Sequence, residues 1–237
     1  MRAICLLVLG LAVCFGQEYH YGTITKFAAA AGGGGELINN TGPQYRWDYH
    51  NLASGQFSDW IDMSNSVHFK QAASSLQFTN STTTGIYCPG IDPHVMTNAA
   101  PFTIGSTYSL AFIYTEFAFG GGEAFVSDTA ANNDFFYTSA GEWNPYNGSA
   151  HFRYLGIHNI QYCTIYSVSS GTATTYTNNV AISGTSAAPT SWQPNMIFND
   201  GFGDPLDANF KAFIIWNKAL NATDVSNIWY EVNNQGF

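Results

Sequence analysis

The chain has 237 residues and a net charge of −9, with 16% aromatic and only 10% charged residues. An ordinary soluble domain carries about 25% charged residues, so this one keeps its surface polar with amides and hydroxyls, a composition suited to an extracellular β protein. The acidic balance supplies neither a basic stripe for nucleic acid nor a polybasic patch for an anionic membrane.

In chain order, Arg2 precedes an apolar run from Ile4 to Val13, followed by Cys14, Phe15 and Gly16. This is the pattern of a secretory signal over residues 1–16, cut between Gly16 and Gln17, and it predicts a secreted, extracellular protein. The run is shorter than the roughly 20 residues of a membrane helix. No later stretch is longer and more apolar, so no membrane span is expected. Residues 17–38 read as a flexible lead-in ending in the run Ala28 to Gly35, because consecutive glycines resist ordering. Alternatively, Tyr19 to Phe27 adds an edge strand to the domain or to a neighbouring copy, a route to self-association. The folded domain is expected over 39–237.

In an oxidising compartment Cys88 and Cys163 are expected to pair, two buried thiols being the alternative. Sequons begin at Asn39, Asn80, Asn147 and Asn221, candidate glycosylation sites in a secreted chain.

From Tyr45 the text is strands and turns. Ser75 to Thr79 alternates, with Leu76 and Phe78 on one face. Thr107 to Phe119 is the longest strand signal, and apolar residues on both its faces predict a central strand. Phe125-Val126, Phe135 to Thr138, Phe152 to Ile157 and Tyr162 to Val168 read as further strands. Gly120 to Gly122, Ala131 to Asp134, Trp143 to Gly148 and Ser169 to Gly171 read as turns between them. One helix is predicted near the C-terminus. There Val225, Ile228, Trp229 and Val232 form an apolar stripe, and Asn221 with Asp224 forms a capping box. A helix this short needs a tertiary partner, and Trp229 is expected to be a buried anchor. The predicted class is therefore all-β, an antiparallel β-sandwich with one short C-terminal helix.

Both ends of the domain resemble the laminin-G-like and concanavalin A-like jelly-roll family. The strand Phe210 to Trp216, the turn Asn217-Lys218-Ala219-Leu220 and the capped helix resemble its closing motif. Tyr45 to Tyr49 resembles its opening strand. Trp60 to Asn65 is similar to its Asp-x-Ser-Gly turn, with Asn65 in place of Gly, and Leu76-Gln77-Phe78 to its next strand. The resemblance implies that the first and last strands are neighbours. It also implies calcium at the sandwich rim. The oxygen-rich loop carrying Asp200, Asp204 and Asp207 is the candidate site, or else an ordinary Asp/Gly turn.

Glucanases of the same fold carry two catalytic carboxylates on one strand face. Here Glu116, Glu123, Asp128 and Asp134 lack that spacing. There is no Gly-x-Ser-x-Gly elbow, no His-Glu-x-x-His, and the six histidines have no ligand-like spacing. The expectation is no enzyme, and no hydrolysis of β-glucans. Trp143 and Tyr146, with Trp192, are candidates for a sugar-stacking platform, or else for core. The expected function is a secreted binding module for glycan or an extracellular protein. The alternative is a structural or adhesive component of a matrix, coat or filament. A glycan-active enzyme of the same fold is the third reading.

Overall fold

A computed structural model of the chain describes residues 36–64, 66–91, 93–100, 102–116, 123–128, 133–138, 142–147, 160–182, 186–199 and 206–234, with backbone alone at 36, 116, 123, 133–138, 142–147 and 186. In chain order the elements are helix α1 (Glu36–Asn40) and strands β1 (Tyr45–Asp48), β2 (Gly55–Phe57), β3 (Asp59–Ile61), β4 (His68–Lys70), β5 (Phe78–Ser81), β6 (Gly85–Pro89) and β7 (Met96–Thr97). Then come β8 (Tyr108–Glu116), β9 (Glu123–Asp128), β10 (Asn133–Thr138), β11 (Glu142–Asn147), β12 (Gln161–Ser169), β13 (Thr172–Thr177), β14 (Val180–Ala181), β15 (Ser186–Ala187), β16 (Met196–Ile197) and β17 (Asp207–Trp216), with helix α2 (Ala222–Asn234) last.

The strands form two antiparallel sheets. The larger runs β14-β13-β12-β8-β17-β6-β5-β2, with β1 also on β17 and β15 on β13. The smaller runs β11-β10-β9-β16-β7-β4-β3. The sandwich is closed as its two ends imply: β1 pairs with the far half of β17, Tyr45 opposite Ile215 and Asp48 opposite Ala212. Strand β8 lies between β12 and β17. Its residues Tyr108 to Tyr114 are all buried, which is why the sequence is apolar on both faces.

The core is aromatic. Trp47 stacks on Phe213 at 5.2 Å, Phe213 on Phe112 at 5.2 Å, and Phe112 on Phe125 of the facing sheet at 4.9 Å. Each such pair contributes about 0.5–1.5 kcal/mol beyond its area burial. Trp60 of the second sheet meets Phe210 of the first edge-on at 6.1 Å.

Helix α2 carries the predicted cap. The Asn221 side chain accepts hydrogen bonds from the amides of Thr223 (2.9 Å) and Asp224 (3.0 Å), and Asp224 reaches back to the Asn221 amide at 3.5 Å. Val225, Ile228 and Val232 are buried, whereas Trp229 is only half-buried. The anchor is thus the aliphatic stripe, and the expectation for Trp229 is corrected.

Beside α2 lies a buried charged cluster. Arg46 and Asp48, two apart on β1 and so on one face, pair at 2.7 Å with both side chains 4% exposed. Glu231 of α2 is fully buried and accepts the Ile38 amide of α1 at 2.7 Å. Trp216 donates to the Thr41 hydroxyl at 2.7 Å. These bonds dock residues 36–41 on the sheet. Residues 36–38, expected in the flexible lead-in, therefore belong to the folded domain.

Two further expectations are corrected. Cys88 and Cys163 are not bridged to each other. They sit on β6 and β12, with β17 and β8 between them. Three inter-strand spacings come to roughly 14 Å, about twice the Cα separation a disulfide can span. The stretch read as a turn at Trp143 to Gly148 is largely strand β11, which among the described residues is an edge paired with β10. Pro145 is tolerated there because an edge strand can leave one side without ladder donors. The strand expected at Phe152 to Ile157 lies outside the described residues.

Candidate functional site

At the sandwich rim the single turn Tyr49–Asn51 and strand β3 frame a surface depression of about 350 Å³, lined by Asn51, Leu52, Asp59, Ile61, Asp62 and Met63. Period-two alternation builds one wall. Trp60 points inward and is fully buried, its indole donating to the Asp48 carbonyl at 3.3 Å. Asp59 and Ile61 therefore face the rim.

The floor is set by Asp62. One of its carboxylate oxygens accepts from the Ser66 amide (2.8 Å) and the Val67 amide (2.7 Å). The other accepts from the Ser64 amide at 2.9 Å and from the Ser64 hydroxyl. This is the physical content of the Asp-x-Ser turn: a side chain taking the place of backbone partners. Burial alone would raise the Asp62 pKa, but these hydrogen bonds outweigh it and hold the carboxyl below its ordinary range. The Met63 amide donates to the Arg46 carbonyl at 2.8 Å, tying the turn to β1.

The opposite wall is held by Asp48, whose carboxylate accepts the His50 amide at 3.0 Å and lies 2.8 Å from the His50 ring. Burial would raise the Asp48 pKa, yet the His50 contacts and the Arg46 charge keep it low. Asn51 and Leu52 follow directly. At the open side, Asp59 lies 3.1 Å from the His68 ring nitrogen and 3.6 Å from the Lys70 ammonium. The depression thus presents an exposed amide and a partly exposed carboxylate beside the apolar side chains of Leu52, Ile61 and Met63, the last 48% exposed. Such a surface accepts and donates hydrogen bonds to hydroxyls while covering an apolar ring face.

The residues singled out in the sequence lie elsewhere. Trp143 stands opposite Tyr137, and Tyr146 opposite Asp134, on the edge strand β11, their side chains outside the described residues. Trp192 is 1% exposed, bridged to Ile104 by backbone hydrogen bonds of 2.8 and 3.1 Å. It is core, and no sugar can stack on it. Asp200 and Asp204 lie outside the described residues. Asp207 is half-buried at the head of β17, and burial pushes its carboxyl up. Among the described residues no group of three His, Cys, Asp or Glu side chains is placed to hold a metal.

The four sequons differ. Asn39 and Asn221 are exposed. The Asn147 side chain lies outside the described residues. Asn80 is 1% exposed and its amide donates to the carbonyls of Tyr49, Leu52 and Ala53 at 3.2, 3.1 and 3.3 Å. A glycan on that nitrogen is incompatible with this fold, so the Asn80 expectation is corrected.

Asn51, Asp59 and Met63 were not singled out in the sequence. The signal available was local: Asp59-Trp60-Ile61 alternates, and it runs straight into the Asp62 turn.

No family model matches the chain, and no curated protein matches it in sequence. Its fold does occur in solved structures. A Trypanosoma rangeli sialidase in complex with 2,3-difluorosialic acid matches with a TM-score of 0.62 at 12% identity, over 98% of this chain and 40% of that one. The same organism's sialidase in complex with sialic acid matches with a TM-score of 0.58 at 12% identity, over 80% and 33%. Domain 4 of AbnA, an extracellular arabinanase of Geobacillus stearothermophilus, in complex with arabinotriose, matches with a TM-score of 0.55 at 10% identity, over 78% of this chain and 97% of that one. The chain spans about a third of the sialidases' length. The expectation that it is not an enzyme is overturned by these neighbours, since sialidases are enzymes and their chains contain this fold. At such identities the likeness is one of fold, an all-β architecture that recurs within sialidases and as a whole domain of an arabinanase.

Proposed function

We propose that this chain is a secreted glycan-recognition domain, with the rim depression as its saccharide site. The observation that carries this is the pairing of the Asn51 amide and the Asp59 carboxylate with an exposed apolar wall in one open depression. Neutral sugars offer hydroxyls on their edges and C–H groups on their faces, and such a surface meets both. The likeness to an arabinanase domain holding arabinotriose supports a carbohydrate ligand. The signal pattern at residues 1–16 supports secretion. The paired opening and closing strands support placement among laminin-G-like jelly rolls, and the exposed sequons at Asn39 and Asn221 support glycosylation.

The test is titration calorimetry with arabinotriose and with sialyllactose, on the wild type and on Asn51→Ala and Asp59→Asn. At least one sugar should bind, and each substitution should weaken it about tenfold, the loss of one hydrogen bond to a charged or well-placed group. Binding unchanged in both variants would move the site elsewhere. Binding of neither sugar would remove the carbohydrate reading. Monosaccharide released in the same samples reports whether recognition leads to cleavage.

A further inference from the structure

The outward face of the larger sheet carries a second feature. Six adjacent strands place one residue each in a single lateral row. Gln56 of β2 stands opposite Thr79 of β5, Thr79 opposite Tyr87 of β6, Tyr87 opposite Asn209 of β17, Asn209 opposite Thr115 of β8, and Thr115 opposite Gln161 of β12. Their strand neighbours Phe78, Ile86, Phe210 and Tyr114 are buried, so alternation turns the row outward. Gln56 and Thr79 are exposed, Tyr87 is 50% exposed, and the other three are half-buried. Every member is uncharged, and every member bears a hydroxyl or an amide. Five strand spacings give the row a length of about 24 Å. It ends against the last turn of α2, where Gln161 donates to the Val232 carbonyl at 3.3 Å.

One cation stands beside this row. Lys211 follows Asn209 by two residues on β17, at an irregularity in its pairing with β8. Its ammonium donates to the Gln161 side-chain oxygen at 2.5 Å and lies 6.0 Å from the Tyr49 ring centre. Among the described residues no carboxylate lies within ion-pair distance of it. Gly85 makes room for its stem. A Cβ there would come 2.9 Å from Lys211 Cγ and 2.7 Å from the Phe210 carbonyl oxygen, at a φ of +95° that already favours glycine. Burial pushes the Lys211 pKa down, which marks the price in hydration of holding an ammonium there without a counter-charge. In a chain of net charge −9 with seven Lys and Arg residues, one of the few cations is thus held half-buried with no anion of its own among the described residues.

We propose that this face binds a linear anionic saccharide laid along the row, its chain contacting the amides and hydroxyls, one sugar ring packing on Tyr87, and an acid group reaching Lys211. The row supplies length and neutral hydrogen bonding, and Lys211 supplies the selection for charge. None of these residues lines the rim depression, although Lys211 approaches the ring of Tyr49 in the turn that frames it, and the two sites are tested by different substitutions.

The test is affinity electrophoresis and calorimetry of the full chain with polygalacturonate, chondroitin sulfate and neutral linear arabinan as probes. One or both anionic polymers should retard the protein more than arabinan does. Lys211→Gln should weaken that binding about tenfold, Lys211→Arg should largely restore it, and Tyr87→Ala should weaken it with an unchanged melting temperature. Oligogalacturonides of increasing length should bind more tightly and then level off. Asp59→Asn, which tests the rim depression, should leave this binding intact. No preference for either anionic polymer, or a preference that survives Lys211→Gln, overturns the proposal. A loss in Asp59→Asn equal to that in Lys211→Gln also overturns it, since it would place the anion at the rim.

Discussion

Two buried carboxylates pull the pH dependence of stability in opposite directions. Asp62 is held below the ordinary carboxylate range by its amide and hydroxyl donors. Its stabilisation is therefore complete above the pKa of an unfolded aspartate and is lost as pH falls through the depressed value. Glu231 is the reverse. Burial raises its pKa, only partly opposed by the Ile38 amide and the Arg46 charge. As pH rises past the ordinary value of 4.5, the unfolded chain ionises first, and stability falls until the raised value is passed. Urea midpoints from acid to neutral pH separate the two. Asp62→Ala should cost about 1–3 kcal/mol at neutral pH, from donors left unsatisfied, and should flatten the acid limb. Glu231→Gln keeps an acceptor for the Ile38 amide and should abolish the decline above the ordinary glutamate pKa. An unaltered profile in either variant would contradict the assigned role. Asp62 was legible as a turn residue because an Asp-x-Ser pattern needs only local contacts. Glu231 was not, because its partner lies 193 residues away, and a Glu on a short exposed-looking helix ordinarily faces water.

At the scale of elements, α2 shows how far periodicity reaches. Its span, cap and stripe were all written in the sequence, since each depends on neighbours three or four residues apart. The depth of each stripe residue was not, because that is set by where the sheet surface lies beneath the helix. Ile228 is fully buried, while the larger Trp229 is half-exposed. Ile228→Ala should therefore cost about 2–5 kcal/mol and more than Trp229→Ala, whose vacated space opens to solvent. Asn221→Ala should cost about 1 kcal/mol through the lost cap. Chemical denaturation of the three variants gives the order. Strands β8, β12 and β17 were legible for a similar reason, being long and apolar. The edge strand β11 was read as a turn because Asn144, Pro145 and Asn147 carry turn chemistry, which an edge position tolerates. The rim depression escaped notice because its walls come from segments that only the β1–β17 closure and the Asp62 turn bring together.

For the whole molecule, the absence of a Cys88–Cys163 bridge has a direct consequence. No bond between these two cysteines contributes to stability, so reductant should leave the melting temperature unchanged. Burial pushes the Cys163 thiol pKa up to about 12, which suppresses the reactive thiolate. Peptide mass spectrometry should find both cysteines unalkylated in the native protein and both alkylated after unfolding. Carbamidomethylation of either under native conditions would show a looser core than this one. Strand β17 carries a different kind of consequence. It lies in the middle of the larger sheet, with β8 on one side and β6 and β1 on the other, yet among the described residues sixteen strands precede it. Synthesis proceeds at about 5–20 residues per second, so for several seconds the emerging polypeptide holds two unjoined half-sheets, each with an unpaired flank. A ribosome that stalls before residue 207 releases a product whose flanks at β6 and β8 recognise each other's missing partner in neighbouring molecules. The order of the strands along the message thus leaves the middle of the larger sheet open until β17 has been translated.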